Sequence, residues 1–309
     1  MNPVMNKSEQ RLRSGIRIIF YIIFAFPIVM IGNALPFGGF EYLLTTALSF
    51  GFFWMMFRIA DHRRNITVAG LKLNKIWWTE CAWGCLLAAS VMGLIYVIQL
   101  ITGTIEFLSF SWNQPGSSNW IYPILIFLVQ MACVGFYEEL MSRSYLLTNF
   151  KEGFTVSRID TRLATMLAVL FSSSIFGIAH GLNPNVTFFA ILNIVLAGVM
   201  LAIPYIITGR LAYSVGIHFA WNFFQGGVFG FRVSGMPIHG SLIQIQQGGE
   251  EIWTGASFGP EGGLIGTIGV LMILCLSLYF INRSGIPIEL HQNFRKSYME
   301  FEGLTKENK

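Results

Sequence analysis

Long apolar runs alternate along this chain with short polar connections rich in Gly, Pro, Asn and Ser. Eight runs, at approximately 16–34, 41–60, 80–102, 121–147, 164–181, 186–207, 211–230 and 263–281, each come close to the roughly 20 residues that carry a helix across a bilayer. The pattern predicts an all-α, polytopic membrane helical bundle of about eight transmembrane helices. No internal repeat or low-complexity tract interrupts it, so residues 1–309 are read as one transmembrane domain, ending in a polar cytoplasmic tail at 282–309. Composition agrees: 54% of the residues are hydrophobic and 12% are charged, against about 25% charged in a soluble domain.

The basic residues orient the bundle. With the N-terminus in the cytoplasm, the inner segments collect Lys7, Arg11, Arg13 and Arg17; Arg58, Arg63, Arg64, Lys72 and Lys75; Arg143, Lys151, Arg158 and Arg162; Arg210; and Arg283, Arg295, Lys296, Lys306 and Lys309. Only Arg232 falls outside. A missed or extra span would scramble this segregation, so both termini are expected in the cytoplasm. The net charge of +4 is then the positive-inside bias, and no nucleic-acid partner is implied. The first run is read as a retained span, because Asn33-Ala34-Leu35 is a poor small-x-small cleavage site.

The connections are expected to be structural. The outer segment 102–120 is turn-rich and ends on the interfacial aromatics Trp120 and Tyr122, and the outer segment 231–262 is Gly-rich and irregular. The inner stretch LKLNKIWWTE (71–80) is expected along the headgroups, ahead of the third span. Cys81, Cys85, Cys133 and Cys275 sit in or at the ends of apolar runs at spacings unlike a zinc motif, and are read as packing residues. His62, His239 and His291 lie in polar segments and are read as solvated.

Chemistry concentrates where polar side chains enter the apolar runs, since ionisable groups inside a membrane are costly and mark function. The fourth run gives Glu138, Glu139 and Arg143, the fifth ends on His180, and the seventh holds His218 and Asn222; Gln130 and Asn193 are the main uncharged additions. Glu139 and Arg143 are four apart with the acid first, the favourable order for an ion pair. Glu138 is turned about 100° away and has no such partner. Phe176 and His180, and His218 and Asn222, repeat the four-residue spacing. If the three helices pack together, Glu138, His180, His218 and Asn222 converge. A buried carboxylate can act as general base on water, a histidine can hold that water, and a histidine with an asparagine can donate to an oxyanion. These parts suffice for peptide hydrolysis. Glu138, His180 and His218 are also possible zinc ligands. HExxH is absent and Asn222 is a poor zinc ligand, yet spacing alone leaves the two readings open.

The set EELMSR (138–143), FGIAH (176–180) and HFAWN (218–222) resembles the CAAX-protease and bacteriocin-processing (type II CAAX endopeptidase, ABI) family of intramembrane proteases. The resemblance runs from Glu138 to Asn222. It implies an intramembrane endopeptidase with Glu138 as the catalytic glutamate, His180, His218 and Asn222 as its partners, and Glu139, Arg143 and Phe176 in support. It favours a site with no cofactor, in which Glu138 activates water, over a zinc-dependent version. Implied partners are membrane lipids and a hydrophobic or membrane-anchored peptide or protein substrate. The expected location is the cytoplasmic membrane of a prokaryote. The rival readings are a non-catalytic scaffold or immunity protein of the same fold and a proton-coupled transporter; the repeats and paired broken helices of a transporter are not seen.

Depth is the point of tension. Along ideal helices Glu138 is roughly 20 Å from Lys151, His218 roughly 12 Å from Arg210 and His180 roughly 27 Å from Arg162. Tilt could level them. The site is expected within the bilayer, with access from the cytoplasmic side.

Overall fold

The computed structural model describes residues 4–6, 11–63, 65–114, 118–155, 159–238 and 240–295. The expectations on Lys7, Arg64, Arg158, His239, Lys296, Lys306 and Lys309, and on the tail beyond 295, fall outside these residues.

The apolar runs become helices: α1 (Ser14–Asn33), α2 (Glu41–Ala60), α3 (Lys75–Ile101), α4 (Ile121–Phe154), α5 (Thr161–Leu182), α6 (Phe188–Thr208), α7 (Ala212–Asn222, continued by a π-helical turn, Phe223–Val228) and α8 (Leu264–Arg283). All but α7 are long and apolar enough to cross a membrane, so this is an integral, multi-pass membrane protein of all-α architecture. The predicted span at 211–230 is shorter, with 11 α-helical residues followed by 6 in the π turn. Its position explains this. Nearly every residue from Ala212 to Asn222 is buried among other helices, so it needs little lipid-facing apolar surface.

Glycines set the contacts of α7. A Cβ on Gly216 would stand 2.1 Å from the Cys81 carbonyl oxygen on α3, and one on Gly84 would stand 2.7 Å from that of Tyr213. On the other side, a Cβ on Gly135 of α4 would stand 2.9 Å from the Phe219 nitrogen. Small residues let membrane helices pack backbone to backbone, and here they clamp α7 between α3 and α4.

The helix ends sort by charge. Arg17 at the start of α1 pairs with Asp61 just after α2 and with Glu152 near the end of α4. Arg11 reaches Glu152 at 2.9 Å, and Asn149 donates to Asp61 at 3.3 Å. At the same end, Arg210 grips Glu80 through two bonds of 2.6 and 2.5 Å, joining the α6–α7 connection to α3. Of the described Lys and Arg, only Arg143 and Arg232 lie away from this basic end. The opposite end holds the α1–α2, α3–α4, α5–α6 and α7–α8 connections.

Three expectations are corrected here. The stretch 71–80 is not a separate interfacial element: α3 already begins at Lys75, because Asn74 caps it by accepting from the Trp77 N–H at 3.1 Å. Segment 102–120 is more than turns, since β1 (Ile105–Phe110) pairs antiparallel with β2 (Ile243–Gln247). His291 is half-buried rather than freely solvated: its N–H donates to the Ile206 carbonyl at 2.8 Å and its Nδ1 accepts from the Asn293 N–H at 3.3 Å. Its burial beside Arg210 and Arg295 holds its pKa below the ordinary histidine value. The four cysteines are free thiols.

Candidate active site

Glu138 and Glu139 end the regular part of α4, and a π-helical stretch, Leu140–Leu147, follows at once. Such widened turns in α-helices are frequent at functional sites. The two carboxylates take the separate directions expected from helical geometry. Glu139 is fully buried and pairs with Arg143 at 3.1 Å. It also accepts from His218 Nδ1 at 2.8 Å, a contact the sequence reading did not anticipate. The signal was Gly135. It lies one helical turn before Glu139, on the same face, and brings α4 close enough to α7 for the bond to form.

With its Nδ1 proton given to Glu139, His218 turns Nε2 towards Glu138, 3.7 Å from that carboxylate. Glu138 Oε2 is buried and takes no hydrogen bond from any described residue. Phe176 fills the space between the histidines. Its ring lies 4.9 Å from that of His180 and 6.0 Å, edge-on, from that of His218, and the Arg143 guanidinium carbon stands 4.4 Å from its centre. The Phe176 carbonyl accepts from His180 Nδ1 at 2.8 Å. A carbonyl only accepts, so this proton sits on Nδ1 and neutral His180 carries its lone pair on Nε2.

Glu138, His180, His218 and Asn222 all line one cavity of about 740 Å³. Phe176 and Gln130 contribute to its wall, while Glu139 and Arg143 stand behind it. The unequal helical depths are thus reconciled in a single elongated space reaching from Leu146 and Leu201 to the connections at the end opposite the basic residues. No described residue of the basic-end connections lines it.

The sequence reading missed Glu261, which precedes α8 and also lines the cavity. It accepts from the Ser234 N–H, from Ser234 Oγ at 2.9 Å and from Gln225 Nε2 at 3.2 Å. The segment reads as an irregular Gly-rich connection, and only the lone carboxylate between Pro260 and two glycines marked it. Burial pushes the Glu261 carboxyl up, against the lowering effects of Ser234, His180 and Gln225. A carboxyl raised in the folded state contributes stability that is complete below the ordinary carboxylate range and is lost as pH rises through the raised value. Glu261→Gln is therefore expected to flatten the decline of the thermal midpoint over that interval by about 2 °C or more, measured in detergent. An unchanged slope would show that Glu261 does not titrate there.

Among the described residues, no three His, Cys, Asp or Glu side chains form a group placed to hold a metal ion. Glu138, His180 and His218 share the cavity without forming such a group.

Residues 120–224 match the family model described as Type II CAAX prenyl endopeptidase Rce1-like. Neither a curated protein nor a solved structure gave a match to the chain. The matched stretch runs from the residue before α4 into the π turn of α7, and so contains Glu138, His180, His218 and Asn222 but not Glu261. Residues 120–224 of this multi-pass membrane protein are thus similar to the Rce1-like type II CAAX prenyl endopeptidase family.

Proposed function

We propose that the protein hydrolyses peptide bonds in membrane-associated peptides or proteins, with Glu138 activating a water molecule. The observation that carries this reading is the division of labour between the two adjacent glutamates. Glu139 is occupied by Arg143 and His218, whereas Glu138 lines the cavity shared with His180, His218 and Asn222, and its Oε2 takes no hydrogen bond from the described residues.

In the proposed reaction Glu138 takes a proton from water as the oxygen attacks the scissile carbonyl carbon. His180 Nε2 accepts the water's second hydrogen bond and orients it. The oxyanion is held by the Asn222 amide and by His218 Nε2–H, in the imidazolium form backed by Glu139. Glu138 then passes its proton to the leaving nitrogen as the C–N bond breaks. Water is consumed, and one carboxyl and one amine are produced.

The direct test is incubation of a peptide library with purified protein in detergent, followed by mass spectrometry of the products. Cleavage that Glu138→Gln eliminates supports the reading. No cleavage of any member, with folded protein, favours a scaffold or immunity role for the fold. Catalysis is also expected to survive exhaustive chelation at a rate near the untreated one. Stoichiometric zinc that leaves with activity, and restores it on return, would make Glu138, His180 and His218 ligands instead.

A further inference from the structure

The cavity and the basic residues occupy opposite ends of the bundle. One end of the cavity is lined by Ala34 after α1, by Asn183 and Pro184 between α5 and α6, and by Ser234, Met236 and Pro237 between α7 and α8. These connections all lie at the end away from Arg17, Arg63, Lys72 and Arg210. At the other end the cavity stops at Leu146 and Leu201. Beyond them lies a buried set of ion pairs, Arg11, Arg17 and Arg63 with Asp61 and Glu152. Basic connections stay on the cytoplasmic side of a membrane. The wall chemistry adds a second constraint. It contains Glu41, Glu138 and Glu261 among mostly apolar side chains, and no Lys or Arg among the described residues. A carboxylate entering there would meet three acidic side chains and no Lys or Arg to offset its loss of water, and the His218 ring is already bonded to Glu139.

We infer that the cavity is entered from the non-cytoplasmic side, and that its substrate is an apolar peptide segment carrying no acidic side chain where it enters. The word substrate rests on the endopeptidase reading; the side of entry does not. A peptide bond on the cytoplasmic side would have to carry its polar flank across the hydrocarbon region to reach Glu138, at a cost of several kcal/mol per unsatisfied backbone group. A bond displayed on the opposite face is at the cavity's end of the bundle.

The test of entry needs no turnover. In a background with Cys81, Cys85, Cys133 and Cys275 replaced by Ala, a single cysteine is placed at the end of the cavity away from the basic residues (Met236→Cys) or at the basic end (Lys72→Cys). Both positions are exposed. A membrane-impermeant maleimide is applied to right-side-out and to inverted vesicles. Met236→Cys is expected to react only in right-side-out vesicles, and Lys72→Cys only in inverted ones. The reverse pattern, or reaction of both from one side, would overturn the inference while leaving the peptidase reading intact. The chemical constraint is tested with purified protein in detergent. An apolar peptide it cleaves is compared with versions flanked by Gln or by Glu. The Glu version is expected to be cut about tenfold more slowly or worse. Equal rates or faster cleavage would remove the acidic-exclusion half. A protein inactive on every peptide would sink the peptidase reading and leave the labelling result standing.

Discussion

Glu138→Gln is expected to abolish peptide hydrolysis in a protein that still folds and inserts. Glutamine keeps the shape of the side chain and removes its capacity to take a proton. A positioned general base contributes about 10²–10⁴-fold, and a loss of that order is expected in kcat. Folding should be spared, because Glu138 is not the partner of Arg143, and its Oε2 takes no hydrogen bond from the described residues that would have to be replaced. Removing the charge 3.7 Å from His218 also strands no cation, since Glu139 remains bonded to that ring. The measurement is product formation from a cleaved peptide, alongside the elution profile and thermal midpoint of the variant. Activity near that of the parent would eliminate Glu138 as the base.

The second large effect belongs to the pair behind the cavity. Glu139→Gln or Arg143→Met alone is expected to cost about 3–5 kcal/mol of stability, because each leaves a buried charge without its partner. Arg143 also loses its contact with the Phe176 ring and its bond to the Gly198 carbonyl at 3.2 Å. The double variant is expected to lose less than the sum, with a coupling of about 0.5–3 kcal/mol. Denaturation in detergent reads both numbers, and strictly additive losses would show that the side chains do not interact. Activity separates the two singles further. Glu139→Gln releases His218 Nδ1 as well as Arg143, so it should depress kcat beyond what its instability explains.

The sequence carried what depends on near neighbours. The apolar runs marked the helices to within a few residues, because a lipid-facing helix must be apolar along its length. The Glu139–Arg143 pair was legible because four residues bring both onto one helix face. What escaped depends on how helices cross. The bond from His218 to Glu139 joins residues 79 apart, and only the small Gly135 hinted at the close approach. β1 and β2 pair residues as far apart in sequence as Ile105 and Gln247, and neither IEFLSF nor IQIQQ names its partner. Glu261 meets the site through bonds to Ser234 and Gln225 that no local pattern encodes. Which connections wall the cavity was not legible either, because depth along separate ideal helices says nothing about the space between them.

The ion pairs at the basic end have a consequence for how the chain is made. Arg17 begins the first span, yet its two acidic partners emerge 44 and 135 residues later. At roughly 5–20 residues per second of synthesis, Glu152 follows Arg17 by several seconds or more. During that interval the first two helices can form a hairpin neutralised by Asp61 alone. Glu152 then draws Arg11 and Arg63 onto the same point as α4 is completed, so the ribosome's order of delivery also sets the order in which these helices are tied together.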